Sequence, residues 1–314
     1  MIVKRPLFLR DGTPAMRVVD EIPTDAAESD FLPGVSARWQ ILTTPLALRG
    51  GPALASPDLV PKLEADIPWH GALLAFVCRE VSLSRGCAHG AIAFPPVILV
   101  GPPAAGKSYA ARLIASRSGL GFGMIDVGGA SDNRALGGTS RGFTGATPAW
   151  PLTTMAAQQT GNPLLMVDEV DKCGGSAANG HPHHTLLSML EPSTSMEWYD
   201  SCLMAAADLS AVSWILCAND VSALPKALRT RLEIVELQRP STKWASHIVE
   251  RLAMELVTQL GLPPPAATHL LARGRVRTMA MEIHQAGGNL RDIRRLLRAG
   301  LADHVVAIRR RLDH

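Results

Sequence analysis

Residues 101–108 read GPPAAGKS, a pair of glycines enclosing four residues and followed by a lysine and a serine. The spacing GxxxxGK[ST] suits a loop whose backbone N–H groups turn inward around phosphate oxygens. Gly101 and Gly106 let the chain wrap, and Pro102, Pro103, Ala104 and Ala105 make the bend between them. Lys107 is then placed to reach the β- and γ-phosphates and Ser108 to ligate magnesium, with Tyr109 the next residue along. A helix opening at Lys107 adds its positive N-terminal end. The chemistry expected is the binding of ATP with Mg2+.

Further along, LLMVDEVDK at 164–172 runs four apolar residues into Asp168 and Glu169. Two carboxylates emerging at the C-terminal end of a buried strand stand where open parallel sheets bind ligands. Asp168 is expected to hold magnesium, directly or through water, and Glu169 to polarise a water against the γ-phosphate. Strands ending in acids also arise by chance. It is the preceding phosphate loop that gives this one a role.

Both motifs need a sheet to hold them. Between 97 and 237 buried strands alternate with helices: PVILV, a helix from Lys107 to about Ser118, GMIDV, a helix near Pro151 to Gln159, LLMVD, HHTLLSML, SWILCA and EIVEL. That alternation predicts an α/β fold, a parallel sheet covered on both faces in three layers. Helical spacing of Leu73, Leu74, Val77 and Val81 predicts a further helix between Trp69 and Ala88. After Pro240 the pattern is helical only. Three segments are expected: 1–65, rich in Pro and Gly and assigned no fold; 66–239, the nucleotide-binding α/β domain; and 240–314, a small all-helical lid.

A chain of 314 residues exceeds one ordinary hydrophobic core. With 47% hydrophobic and 19% charged residues it is globular in composition, and a net charge of +3 does not by itself argue for nucleic acid or a membrane. Cysteines 78, 87, 173, 202 and 217 are odd in number and contain no CxxC pair, which suits a reduced, intracellular setting. The opening MIVKRPLFLRDG breaks at Pro6 and Arg10 before a signal core forms, and AIAFPPVILV at 91–100 is too short to span a bilayer. A soluble cytoplasmic protein without membrane partners is expected.

The run GPPAAGKS, VGGASDNRALGGTSRGFTGATP, NPLLMVDEVDK, HHTLLSMLEP, DLSAVSWILCAND and LPKALRTRLEIVEL, in that order, resembles the AAA+ ATPases, and among them the ATPase module of Lon proteases, over residues 65–310. The resemblance implies a P-loop AAA+ domain followed by a helical lid, and roles for more residues. Asn219 matches the polar sensor that orients the attacking water beside Glu169, although an Asn after a strand is also an ordinary turn residue. Arg231 matches the arginine finger that reaches a neighbouring subunit's γ-phosphate, with Arg229 as competitor. Arg291 matches the lid arginine that closes on nucleotide, the alternative being a solvated helix face. Phe143, between Gly142 and Gly145, matches an aromatic channel loop that grips an extended polypeptide, with Thr144 where an aliphatic neighbour is usual. The alternative is a ring folded back into the core. A second channel loop would fall at 173–184.

The resemblance further implies a ring, of six subunits, acting on a protein substrate. Lon proteases carry a C-terminal peptidase with a Ser/Lys dyad and a large N-terminal substrate-capturing domain. This chain stops at His314 and has 65 residues at its start instead, so ATP-driven remodelling without peptide-bond cleavage is expected. Two other readings stand beside it: a nucleotide-gated scaffold or dedicated activator of one partner, and a DNA-associated ATPase using Arg291, Arg294, Arg295, Arg298, Arg309, Arg310 and Arg311. Nucleic acid is not favoured, because no aromatics are interleaved to stack bases. Cys173, His181, His183 and His184 fit no standard zinc spacing and read as a polar channel loop, while Cys78, Cys87 and His89 lack a fourth ligand. No metal beyond nucleotide-bound magnesium is expected.

Overall fold

The computed structural model describes residues 7–23, 35–51, 56–84, 93–175, 180–272, 274–288 and 290–312. The chain separates into two compact units, 1–102 with 107–237, and 103–106 with 238–314.

The first unit is organised by its apolar runs. Chain order gives β1 (Leu7–Phe8), β2 (Pro14–Met16), β3 (Leu46–Ala47), β4 (Val97–Val100), β5 (Phe122–Asp126), β6 (Leu164–Asp168), β7 (Trp198–Asp200), β8 (Ala205–Ala207), β9 (Ser213–Ala218) and β10 (Glu233–Glu236). Its helices are α1 (Leu59–Asp66), α2 (Gly71–Ser84), α3 (Lys107–Ser118), α4 (Trp150–Gln158) and α5 (Pro182–Leu190), with shorter helical turns between them. Five strands form one sheet in the order β10-β4-β9-β6-β5, every pairing parallel. β9 is buried along its whole length, and β6 is buried up to Asp168. Strands apolar on both sides are what a sheet covered on both faces requires, and the expected α/β architecture is the one present.

α3 buries Ala110, Ala111, Leu113, Ile114 and Ala115. Three of those five are alanines, so the helix lies close to its neighbours. Strand order does the rest. β4 lies between β10 and β9, while the chain leaving β4 crosses to β5 at the far edge. The C-terminal ends of β4, β9 and β6 are therefore adjacent, although α3, the edge strand β5 and α4 separate β4 from β6 along the chain.

The segment to which the sequence assigned no fold is built into this unit. β1, β2 and β3 form a small antiparallel sheet, bridged onward from Val19 to Ala207 and from Ala47 to Thr160. Val18, Val19, Ile22, Trp39, Leu42 and Leu46 share one core with Leu152, Met155, Leu165 and Trp214. Asn162 fixes the junction, its Oδ1 accepting from the Arg49 backbone N–H at 2.7 Å and its Nδ2 donating to the Arg49 carbonyl at 3.0 Å.

The second unit is helical: α6 (Ala245–Gln259), α7 (Pro265–Ala272), α8 (Gly274–Gln285) and α9 (Leu290–Leu312). α6 buries Ala245, Ile248, Val249, Leu252, Ala253, Leu256 and Val257, spaced three and four apart as one face of a helix demands. Ile293, Leu297 and Leu301 form the matching stripe on α9. At Gly300 a Cβ would lie 3.0 Å from Leu270 Cδ1 and 3.1 Å from Val276 Cγ2, so the missing side chain lets α9 pack closely. Among the described residues no helix is long and apolar enough to cross a membrane.

Leu42 is fully buried in the shared core. Leu42→Ala is expected to cost about 2–5 kcal/mol and to lower the denaturation midpoint of the α/β unit as a whole, followed by tryptophan fluorescence in urea. An unchanged midpoint would show that residues 7–51 fold independently of the large sheet.

Candidate functional site

Every strand of the large sheet that carries a chemical group at its C-terminal end delivers it to the same edge. β4 ends at Val100, and the Gly101 N–H continues the ladder to the Ala218 carbonyl at 3.2 Å. In the turn that follows, Gly106 (φ +91°) and Ala104 (φ +67°) are left-handed. Glycine takes that conformation without strain, whereas alanine does not. An imposed backbone of this kind points N–H groups into the concave side of a loop.

Lys107 opens α3. Its Nζ lies 2.6 Å from the Gly101 carbonyl, 3.3 Å from the Pro102 carbonyl and 2.9 Å from Asn219 Oδ1. Burial holds its ammonium below the usual lysine range, and Cys217, Asp168 and Asp171 act in the opposite direction. Its acceptors are therefore the loop's own carbonyls and the Asn219 amide, and anionic oxygens would be stronger partners.

Ser108 Oγ donates to Asp168 Oδ2 at 2.9 Å. Two oxygens in neighbouring positions of an octahedron with bonds of about 2.0–2.1 Å stand about 2.9 Å apart. The hydroxyl and the carboxylate thus already have the separation that a shared Mg2+ requires, and the donor set fits that cation. The other carboxylate oxygen, Oδ1, accepts from the Glu169 N–H at 2.9 Å and fixes the plane of Asp168.

Glu169 has φ +55°, a left-handed conformation unusual for a side-chain-bearing residue and often found where function imposes it. Its Oε1 pairs with Lys172 Nζ at 2.6 Å, and both groups are partly exposed. A Cβ at Gly128 would lie 2.2 Å from Glu169 Oε2 and 3.0 Å from Glu169 Cβ, so glycine there is what leaves the carboxylate its place. Asn219 follows β9. Its own N–H and that of Asp220 donate to Asp171 Oδ2 at 2.9 and 3.2 Å, which ties the tip of β9 to the chain leaving β6. Tyr109, next on α3, is half-buried.

Arg231 is placed elsewhere. It precedes β10, whose Glu233 pairs with Val97, so it enters at the edge opposite Gly101. At about 3.3 Å per residue the strands put roughly 15 Å between the two edges. Its Nε pairs with Glu191 Oε2 at 2.7 Å and its Nη1 donates to the Ala227 carbonyl at 2.8 Å. Arg229 is half-buried, and its Nε has no hydrogen-bond partner among the described residues. Arg291 is exposed on the first turn of α9 in the second unit, where Arg294 donates to Gln259 Oε1. The side chains of Arg309, Arg310 and Arg311 lie outside the described ones.

Phe143 is 66% exposed, the most exposed of the large apolar side chains described, which removes the reading in which the ring folds into the core. The loop is closed at its base by paired hydrogen bonds between Thr139 and Thr147, at 2.9 and 3.1 Å. Gly142 (φ +94°) and Gly145 (φ +78°) bracket the ring in open space, and Thr144 beside it is exposed. Arg141 anchors the loop: Nε donates to the Cys202 carbonyl, Nη2 to Leu203 and Nη1 to Pro23, at 2.8–3.0 Å. The turn it grips is shaped by buried Asp200, which accepts from the N–H groups of Ala149, Cys202 and Leu203. Burial raises the Asp200 pKa, and those three donors oppose the rise.

Within 173–184, residues 176–179 lie outside the described part. On either side of them Cys173 Sγ is 3.1 Å from His183 Nε2, and the rings of His181 and His183 stand 4.6 Å apart. Burial pushes the Cys173 thiol up to about 11, so the pair is not a thiolate nucleophile at neutral pH. Burial, followed by His183 and His184, lowers His181. Cys87 and His89 lie outside the described residues.

The sequence reading passed over Asp171, Lys172, Gly128, Glu191 and Arg141. Asp171 and Lys172 stand in plain view in DEVDK, but their partners are set by folding, and for Glu191 and Arg141 no local signal exists.

Residues 97–239 match the family described as "ATPase family associated with various cellular activities (AAA)". The chain is 36% identical over 143 residues to "Lon protease homolog 2, peroxisomal" of Pichia angusta, covering 46% of this chain and 15% of that protein. It is 35% identical over 171 residues to "Lon protease homolog, mitochondrial" of Caenorhabditis elegans, 54% of this chain and 17% of the relative. To "Lon protease 4" of Sorangium cellulosum it is 34% identical over 204 residues, 63% of this chain and 25% of the relative. The match thus spans a quarter or less of the length of each of these relatives. Residues 97–239 are therefore similar to the AAA ATPase family, and among the relatives matched to the corresponding part of Lon proteases.

Proposed function

We propose that this protein hydrolyses ATP with Mg2+ and uses the cycle to pull on an extended polypeptide. The observation that carries the first half is the convergence of Lys107, Ser108, Asp168 and Asn219 at one sheet edge, with Ser108 Oγ and Asp168 Oδ2 at 2.9 Å. When bound, magnesium ATP supplies the γ-phosphoryl group and the cation that neutralises its charge. Lys107 leaves the Gly101 and Pro102 carbonyls for phosphate oxygens. Ser108 and Asp168 would hold the cation. Glu169, released from Lys172, accepts the proton of a water that Asn219 orients, and Asp171 holds Asn219 in place through its backbone.

The position of Arg231 supports a ring. Set at the opposite edge of its own sheet, it serves a neighbour's phosphates rather than its own, and Glu191 is the partner it leaves when subunits assemble. Arg229 stands beside it as a second cation for the same interface. In a ring of six, the exposed Phe143 loops line a common channel. An aromatic face grips side chains of many kinds, and its glycine brackets allow travel while Arg141 holds the base.

Glu169→Gln is expected to retain ATP affinity and to lose roughly 10²-fold or more of phosphate release, read by steady-state turnover against equilibrium nucleotide binding. Normal turnover would remove Glu169 as the base. Arg231→Ala is expected to be inactive alone and to regain hydrolysis when mixed with Glu169→Gln, because mixed interfaces pair an intact Glu169 with an intact Arg231. Absence of recovery would place the arginine in cis or outside the reaction. Phe143→Ala is expected to hydrolyse ATP normally and to lose unfolding of a fluorescent protein substrate. Unimpaired unfolding would take the grip away from this loop.

A further inference from the structure

The segment leaving β6 passes from Glu169 to Cys173, and the chain returns at His181 to start α5. We propose that Cys173, His181 and His183 form a binding site for a borderline-soft divalent cation of the zinc class. One ligand atom from each of the three side chains lies within 4.8 Å of the other two. Cys173 Sγ and His183 Nε2 are 3.1 Å apart. With metal–sulfur and metal–nitrogen bonds of about 2.3 and 2.0 Å, two ligands of one tetrahedral ion stand about 3.5 Å apart. The Cys173–His183 pair thus needs a movement of a few tenths of an ångström, and a pair at the 4.8 Å bound would need one of about 1.3–1.5 Å, which side-chain rotation can supply.

Two elements position the three side chains, the turn after β6 and the first turn of α5. Cys173 is held by its own backbone turn, where Sγ also approaches the Val170 carbonyl at 3.3 Å. His181 caps α5, its Nδ1 accepting the His183 N–H at 3.2 Å, and Pro182 starts the helix. His183 is buried, with Nε2 at 2.7 Å from the Val170 carbonyl. That carbonyl holds the ring while a proton occupies the site, and the cation competes with the proton for the same nitrogen. Cys173 and His181 are only half-buried, which leaves a route for the ion. Three protein ligands leave one position for water, the pattern of an exchangeable site. Thiolate with two imidazoles selects zinc or cobalt over magnesium, so the site is chemically distinct from Ser108 and Asp168.

In the sequence these residues read as a polar channel loop, because the spacing Cys-x7-His-x-His matches no common zinc pattern. Convergence arises because α5 returns its first turn to the foot of β6. An ion here fastens the segment that begins at Glu169 to the first turn of α5. The inference does not rest on the nucleotide reading.

The test uses the full chain carrying Cys78→Ser, which removes an exposed thiol, with magnesium in excess and no nucleotide. Addition of cobalt(II) is expected to give a thiolate-to-cobalt charge-transfer band and intense tetrahedral d–d bands at one equivalent, both abolished by zinc. Cys173→Ser in that background is expected to lose the charge-transfer band, and His181→Ala or His183→Gln to weaken cobalt binding at least tenfold, with unchanged circular dichroism. Should one variant fail to fold, the others carry the test. No charge-transfer band, or a band that survives Cys173→Ser, overturns the proposal.

Discussion

The contact between Lys107 and Asn219 depends on β9 being inserted beside β4, and most of the candidate site follows from that insertion. A lysine leaving one strand and an asparagine leaving another touch only if the two strands are neighbours and end at the same level. The register Val100 to Ala218 supplies both conditions. β6 on the other side of β9 then brings Asp168 to Ser108, and Asp171 reaches back to the N–H of Asn219. The parallel direction of all five strands keeps these groups at one edge. It also sends Arg231 to the other edge, so the same constraint that gathers these groups keeps Arg231 away from them.

The cost of such a site is local strain and buried charge. Ala104 and Glu169 adopt left-handed backbone, and Lys107 is partly desolvated. These are tolerated because the surrounding sheet is well packed: β6 and β9 are buried and each is paired to a neighbouring strand on both sides. The N-terminal residues contribute to that packing. Trp39, Leu42 and Leu46 complete the core against α4, so a segment without an obvious motif supports the edge from which the loop at 138–147 projects. Pro23 even accepts a hydrogen bond from Arg141, the anchor of that loop.

Much of this was legible beforehand for a physical reason. Strand and helix identities follow from apolar runs and their periods, and PVILV, LLMVD and SWILCA became β4, β6 and β9 within a residue or so. The phosphate loop was legible because its shape depends on consecutive residues: Gly106 takes the left-handed turn its sequence implies. The first 65 residues were not, because strands of two or three residues carry no period, and Leu42 and Trp39 are buried only once the shared core with α4 has formed. Cys173 and His183 read as part of a polar channel loop for a related reason. Their separation along the chain matches no pattern, and only the return of α5 makes it short.

The sequence by itself determined the order of elements, the phosphate loop, the acids that end β6 and the aromatic between two glycines. All of these are contiguous stretches whose conformation is set by their own residue types. Tertiary structure alone decided which of them meet. Lys107 and Asn219 are 112 positions apart, Ser108 and Asp168 are 60, and Arg231 and Glu191 are 40. Such contacts are fixed by strand order, by register and by which face is covered, and no local run of residues encodes them.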